Sequence, residues 1–291
     1  LGDPTVGGWV VDGADSDQND ASGGVRLGNQ CGILTKEVQV SSRADASDTI
    51  GRANELAYQV MMRQRELRRN VEANVLGIQG SQADDGDTTP GIPAGLAAQV
   101  TKFDNGSGGT GGTFSSGSWS AWTPGDGVGL QEDHVRDACQ EAWEDGADPS
   151  LLMSVPSVIR GLSEYMFSSS ARIATMQKDT KGETEAATAL GSVNVFITDF
   201  GITLDFVPNR IQQTYEEGSS NGMQVASVFV LDPNYARVSY LRGYRVEPLA
   251  KSGLSEKRLM SVDFTVKALN RDAHRVIPDI DPTIAVTKDG T

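Results

Sequence analysis

Residues 47–77 read SDTIGRANELAYQVMMRQRELRRNVEANVLG, and their spacing decides how the rest of the chain is understood. Ile50, Ala53, Leu56, Ala57, Val60, Met61, Leu67, Val71 and Val75 recur every three or four positions, which places them on one face of an α-helix. Ser47 or Asp48 is suited to cap its start and Gly77 to end it. The spacing therefore predicts a helix over 48–77, about 45 Å long at ~1.5 Å per residue. That is far beyond the usual length of about 12 residues. Its other side carries Arg52, Glu55, Arg63, Arg65, Glu66, Arg68, Arg69 and Glu72. Such a face is ordinarily solvated. Holding five of the chain's 25 Lys and Arg residues, it also suits an acidic partner surface.

Working outward, residues 1–32 are rich in Gly, Asp, Ser and Asn, with few apolar anchors beyond Trp9–Val11 and Leu27. A segment of this kind buries too little to fold alone. Trp9–Val11 and Ile33–Val40 are extended stretches that bracket it, which suggests a long hairpin arm with Asp12, Asp15, Asp17 and Asp20 at its tip. Downstream, Gln79–Ala94 is turn-rich and Thr101–Gly129 is close to low complexity. Helices are predicted over Gln131–Asp145 and Pro156–Ser168, with a short buried strand, Leu151–Val155, between them. The last third reads as strands: Val193–Thr198, Ile202–Val207, Val225–Leu231, Ala236–Leu241, Tyr244–Glu247 and Leu259–Leu269. Helices first and strands later indicate an α+β protein.

Composition narrows the function. The 291 residues carry 25 Asp and 14 Glu against 17 Arg and 8 Lys, a net charge of −14. A surface devoted to nucleic acid needs a net basic footprint, so that class is disfavoured. No apolar run approaches the roughly 20 residues of a spanning helix, and no membrane partner is expected. Cys31 and Cys139 are too few for a disulfide framework or a zinc site.

The motifs that could carry chemistry each have a plainer explanation. Gly106-x-Gly108-x-x-Gly111 matches a dinucleotide fingerprint as a string, but no helix opens after it, so a flexible loop is expected. Asp15-x-Asp17-x-Asn19 resembles a calcium loop, yet its sixth position is Asp20 where Gly is needed and its twelfth is Arg26 where Glu is needed. Loose divalent binding at that tip, or at Asp84-Asp85-Gly86-Asp87, is the remaining metal reading. His134, His274 and Cys139 lie in no nucleophile motif, and Cys139 sits on an apolar helix stripe where an inert buried thiol is expected. No catalytic residue, cofactor or dedicated metal site is assigned.

One ordered set of strings resembles a known family. Thr49-Ile50-Gly51-Arg52, Glu55-Leu56-Ala57-Tyr58-Gln59 and Arg65-Glu66-Leu67-Arg68-Arg69-Asn70-Val71-Glu72 are similar to the spine-helix signature of one group of tailed-phage major capsid proteins. The last third agrees in order, with Thr198-Asp199-Phe200-Gly201, Val207-Pro208-Asn209-Arg210, Leu231-Asp232-Pro233, Tyr240-Leu241-Arg242, Leu249-Ala250-Lys251-Ser252-Gly253 and Glu256-Lys257-Arg258. The resemblance implies an α+β, Hong Kong 97-like capsid fold with an extended loop, a long spine helix, and peripheral and axial domains. It divides the chain into a remnant N-terminal arm and extended loop (1–45), a peripheral domain with the spine (46–155), an axial domain (156–254), and a return to the peripheral domain with a C-terminal tail (255–291). The family's arm precedes its extended loop, so a cleaved leader or an upstream stretch outside this sequence is expected.

The same resemblance implies a virion head-shell subunit that assembles into hexamers and pentamers around double-stranded DNA, touching that DNA non-specifically. Decoration, scaffold and portal proteins are the other expected partners. Trp9, Val10, Val11, Ile33 and Leu34 are expected to anchor the arm on an adjacent subunit, and Arg52, Arg63, Arg65, Arg68 and Arg69 form the basic spine face. Two other classes compete: an extracellular binding module with an acidic, divalent-dependent loop, and an enzyme with an unmarked carboxylate pair. The excess of Asp over Lys, with Arg favoured over Lys, is the composition expected of a halophilic host, because molar salt shortens the Debye length to about 3 Å and screens repulsion between copies.

Overall fold

Val38 and Val40 alternate with Gln39 and Ser41, and only an extended strand puts both valines on one face. The computed structural model bears this out; it describes residues 9, 12–13, 24–47, 54–168, 195–199, 201–218, 222–251 and 253–288. In chain order the elements begin with β1 (Gly32–Ser41), α1 (Ser42–Ala46), α2 (Glu55–Val75), α3 (Leu96–Gln99), β2 (Thr101–Lys102), β3 (Phe114–Ser115) and β4 (Ser118–Trp119). They continue with α4 (Glu132–Glu144), β5 (Leu151–Ser154), α5 (Pro156–Ser168), β6 (Val195–Ile197), β7 (Thr203–Pro208) and β8 (Tyr215–Glu216). Last come β9 (Gln224–Leu231), β10 (Ala236–Pro248), β11 (Ser255–Ala268) and β12 (Arg275–Ile280).

A three-stranded sheet in the order β1-β11-β10 forms the floor under α2. β1 runs antiparallel to β11 along its whole length, from Gly32 opposite Phe264 to Ser41 opposite Ser255. The inward side chains Val38, Val40, Met260, Val262 and Phe264 meet Leu56, Leu67 and Val71 of the helix. The long helix begins later than its periodicity suggests. Ser47 closes α1, its backbone N–H donating to the Arg43 carbonyl, and Asn54 caps α2 by accepting from the Ala57 N–H at 2.7 Å. Asn is among the strongest capping residues, so 21 residues are helical, about 32 Å at ~1.5 Å each. Asp48, Ile50, Arg52 and Ala53 lie outside the described residues. Met61, expected inward, is exposed.

The second sheet runs β2-β12-β9-β5-β7-β6, with β8 also on β9. Val225–Leu231 is buried throughout because both faces of this sheet are covered. On one side Val228, Val230, Leu152, Leu204 and Ile277 pack beneath α4 and α5 through Val135, Ala138, Cys139, Val158 and Leu162. On the other, Phe229, Leu231, Met153 and Val276 meet Leu76, Leu96, Val100 and Trp122, and Val266 of β11 joins the same cluster. That cluster is where the two sheets lock together.

Four features depart from the linear reading. Ala236–Leu241 and Tyr244–Glu247 form one strand, β10, bulged on either side of Arg242. β12 is hidden in the sequence, because Pro278 and Asp279 punctuate it; Asp279 sits at φ 54° and interrupts the register between Ile277 and Ile280. The Gly-rich segment 101–129 is packed, with Phe103, Trp119 and Trp122 buried. Sheet membership also crosses the expected boundaries: β5 and β12 share a sheet with β7 and β9, whereas β10 pairs with β11. Replacing Leu67, almost fully buried on the inner face of α2, with Ala is expected to cost about 2–5 kcal/mol. Met61→Ala should stay within about 0.5 kcal/mol, a contrast read from denaturant midpoints of the unassembled subunit.

Candidate assembly surface

Residues 28–30 are fastened to their own chain. The Asn29 side chain donates to the Val266 carbonyl at 2.9 Å and accepts from the Ala94 N–H at 2.9 Å. Thr265 Oγ1 donates to the Gln30 carbonyl at 2.8 Å, and Trp119 Nε1 to that of Gly28 at 2.9 Å. The five expected arm anchors consequently part company. Leu34 packs into the cluster beneath α2 in its own subunit, while Ile33, on the other face of β1, is 52% exposed. Trp9 is 94% exposed, and Val10 and Val11 lie outside the described residues.

The basic spine face is accessible: Arg63, Arg65, Arg68 and Arg69 are all exposed, and Arg52 lies outside the described residues. Arg63 bonds Glu66 at 2.6 Å, and this contact holds the Glu66 carboxyl below the usual range. The Arg68 guanidinium lies 5.6 Å from the Tyr244 ring centroid, which links the helix to β10. Tyr244 in turn meets Tyr240 at 5.8 Å, and burial pushes its phenol up to about 12.

β10 itself is the surface that sequence reasoning misses. It forms the edge of its sheet, and most of its 13 residues are exposed, apolar ones included. Val238, Tyr240, Leu241, Tyr244 and Val246 all present area to solvent, Leu241 at 71%. Long exposed apolar edges invite pairing with another chain. The signal in sequence is the density of apolar and aromatic residues around Arg242 and Arg245, which reads equally well as an ordinary buried strand.

The residues considered for chemistry have other occupations. Cys139 is buried on the inner face of α4, and desolvation raises its thiol to about 12. His274 Nδ1 accepts from the Asp232 N–H at 3.2 Å, and burial lowers its pKa; His134 lies against the Phe103 ring at 5.8 Å. Asp85 accepts the N–H groups of Asp87, Thr88 and Thr89 at 2.8–3.0 Å, which holds its carboxyl far below the usual range. Asp12 is exposed, and Asp15, Asp17 and Asp20 lie outside the described residues. Among the described residues no group of three or more His, Cys, Asp or Glu side chains could hold a metal ion. Gly106 and Gly108 adopt φ near 78° and 76° in a packed loop, where a flexible one was expected. Ser107 Oγ donates to the buried Asp279 carboxylate at 2.8 Å, and the Gly125 N–H reaches the same oxygen at 3.0 Å. No helix among the described residues is long and apolar enough to cross a membrane.

Comparison with known proteins decides the family, because the model for the SU10 major capsid protein matches residues 1–281. The chain belongs to the SU10 major capsid protein family. Its fold is α+β, its role is structural, and its place is the virion head shell, which requires self-association. Among solved structures, the chain is similar to the holo-SrpI encapsulin complex from Synechococcus elongatus PCC 7942, at 12% identity over 90% of this chain and 77% of that one, with a TM-score of 0.49. It is also similar to the capsid of cyanophage P-SCSP1u, at 12% identity over 97% and 82%, TM-score 0.47. For the procapsid of satellite phage P4 the values are 10% identity over 99% and 83%, TM-score 0.47. No curated protein matches the chain. Cys31 is exposed and Cys139 buried, so the native subunit should react with a thiol reagent at Cys31 and not at Cys139, titrating one group when folded and two after denaturation.

Proposed function

We propose that this capsid subunit builds hexamers and pentamers of an icosahedral head around double-stranded DNA, without catalysis. The peripheral body is the three-stranded sheet with α2 across it, and the axial body is the larger sheet with α4 and α5. On this assignment the expected boundaries at 155 and 254 shift, since β5 joins the axial sheet and β10 the peripheral one. Residues 1–31 supply the arm and extended loop. Trp9, Val10, Val11 and Ile33 are its proposed anchors on a neighbour; Leu34 is withdrawn from that set because it is already packed at home. The observation that carries the reading is the family match over residues 1–281, joined to a long apolar edge strand that a solitary molecule would leave bare.

Arg63, Arg65, Arg68 and Arg69 give the spine a positive face for an acidic partner. Packaged DNA, scaffold, portal and decoration proteins are the proposed contacts beyond the subunit itself. Net charge then governs assembly, since copies at −14 repel one another unless salt intervenes.

Two outcomes follow. Deleting Trp9–Leu27, which spares the residues bonded to the subunit's own core, should leave a folded subunit that no longer closes stable shells in electron micrographs; normal shells from the deletion would remove the arm from the assembly contacts. Particles assembled near molar salt should come apart on dialysis into dilute buffer, where the Debye length grows from about 3 Å toward about 30 Å. Light scattering that stays unchanged through that dialysis would contradict the halophilic reading.

A further inference from the structure

The chain's charge is divided unequally between its two sheets. By sequence, residues 32–76 and 236–268, the stretches that contain α2 and its three-stranded floor, hold 14 Lys and Arg against 9 Asp and Glu, a net of +5. All the remaining residues hold 11 against 30, a net of −19. A chain that is acidic overall thus carries one basic body, and the exposed edge strand β10 lies on it.

β10 combines three properties of a contact surface. No described strand pairs with its outer edge, so its backbone groups there are open to a partner or to water. Tyr240, Leu241 and Tyr244 expose apolar and aromatic area. Arg68 is stacked over Tyr244, so one guanidinium borders the aromatic pair, while Arg245, paired across the ladder with Ser261, is exposed on the other face of the strand beside Glu247 at 3.0 Å. Tyr and Arg are the residues most enriched where binding energy concentrates. Arg stacked on an aromatic ring keeps its outward N–H donors for a carboxylate.

We infer that β10, with Arg68 beside it, is a docking surface for the acidic part of a second copy of this chain. The contact is heterologous: the basic body of one copy meets the net-negative remainder of the next, as head-to-tail association in closed rings requires. Opposite charge across the contact offsets part of the repulsion between subunits of net −14, and the apolar strand keeps its contribution when salt screens the charges. This inference rests on the capsid reading and adds the surface and its electrostatic control.

The test compares charge-matched variants of the full chain. Arg68→Glu/Arg245→Glu and a control, Arg160→Glu/Lys288→Glu, each lower the net charge by four, from −14 to −18. The control residues are exposed and lie outside the basic body. The readout is the salt concentration at which half of the assembled particles dissociate, followed by light scattering, with thermal unfolding of the free subunits confirming that both variants fold. The β10 variant should need about twofold more salt than the control to stay assembled, since it loses a specific attraction as well as gaining general repulsion. A neutral variant, Leu241→Ser, should raise the critical concentration for assembly with no change in charge.

Equal shifts in the two charge variants would overturn the inference, leaving only overall charge. So would unchanged assembly of the β10 variant accompanied by reduced DNA retention, because the strand would then face nucleic acid. If wild-type chain formed no particles at any salt, the capsid reading itself would fail, and the two failures are thereby distinguished.

Discussion

The ten-residue antiparallel ladder between β1 and β11 is the contact on which the rest of the structure depends. It joins residue 32 to residue 264 and residue 41 to residue 255, closing a loop that spans most of the chain. Closing so long a loop is entropically costly, and only pairing that also buries side chains offsets it. The ladder does so by aligning Val38 and Val40 with Met260, Val262 and Phe264 beneath Leu56, Leu67 and Val71. Once that floor exists, α2 has a place to lie. Leu76, just past its end, and Val266 of β11 then enter the cluster that covers Phe229 and Val276, so the second sheet is oriented by the first.

Much of this is legible in local sequence patterns. The helical period of residues 48–77, the alternation around Val38 and the apolar run Val225–Leu231 each reflect one element's own burial; the two strands lie where their patterns place them, and the helix occupies residues 55–75 of the expected span. Pairing between distant segments is not legible in the same way. Nothing in Ala236–Pro248 states that it runs beside β11 and not beside β9, and nothing in Leu34 states that its partners are Val262 and the helix above. Local competition hides two more points. Asn54 caps α2 while Ser47 closes α1, a choice that the equal capping strength of Asn and Ser leaves open in sequence, and Pro278 with Asp279 disguises β12 as a loop although all six of its residues are buried. The Gly-rich stretch misleads for a related reason: glycines chosen for close approach, as at Gly109 beside the Asp279 carboxylate, look in sequence like glycines chosen for flexibility.

The candidate surface is legible by half. The arginines of the spine face are visible as a row, and those among the described residues are exposed. Their neighbour on β10 is not visible, because exposure of an apolar residue is decided by what the fold fails to cover. The acidic total also conceals an uneven distribution, with a basic body of +5 set within a chain of −14. Buried ionisable groups follow ordinary rules: Arg275, almost fully buried, is held by Glu141 at 3.0 Å and by Asp145, and its remaining donors reach the Asp272 and His274 carbonyls. Such a group is part of the scaffold that fixes α4 on β12, and its charge is satisfied inside the subunit.

Cryo-electron microscopy of the purified full-length chain at molar salt tests the central claim most directly. Closed icosahedral particles hundreds of ångströms wide are expected, in which every subunit shows α2 lying across the β1-β11-β10 sheet and β10 in contact with a neighbour. A monodisperse monomer at every salt and protein concentration, or shells in which β10 faces solvent in all subunits, would contradict it.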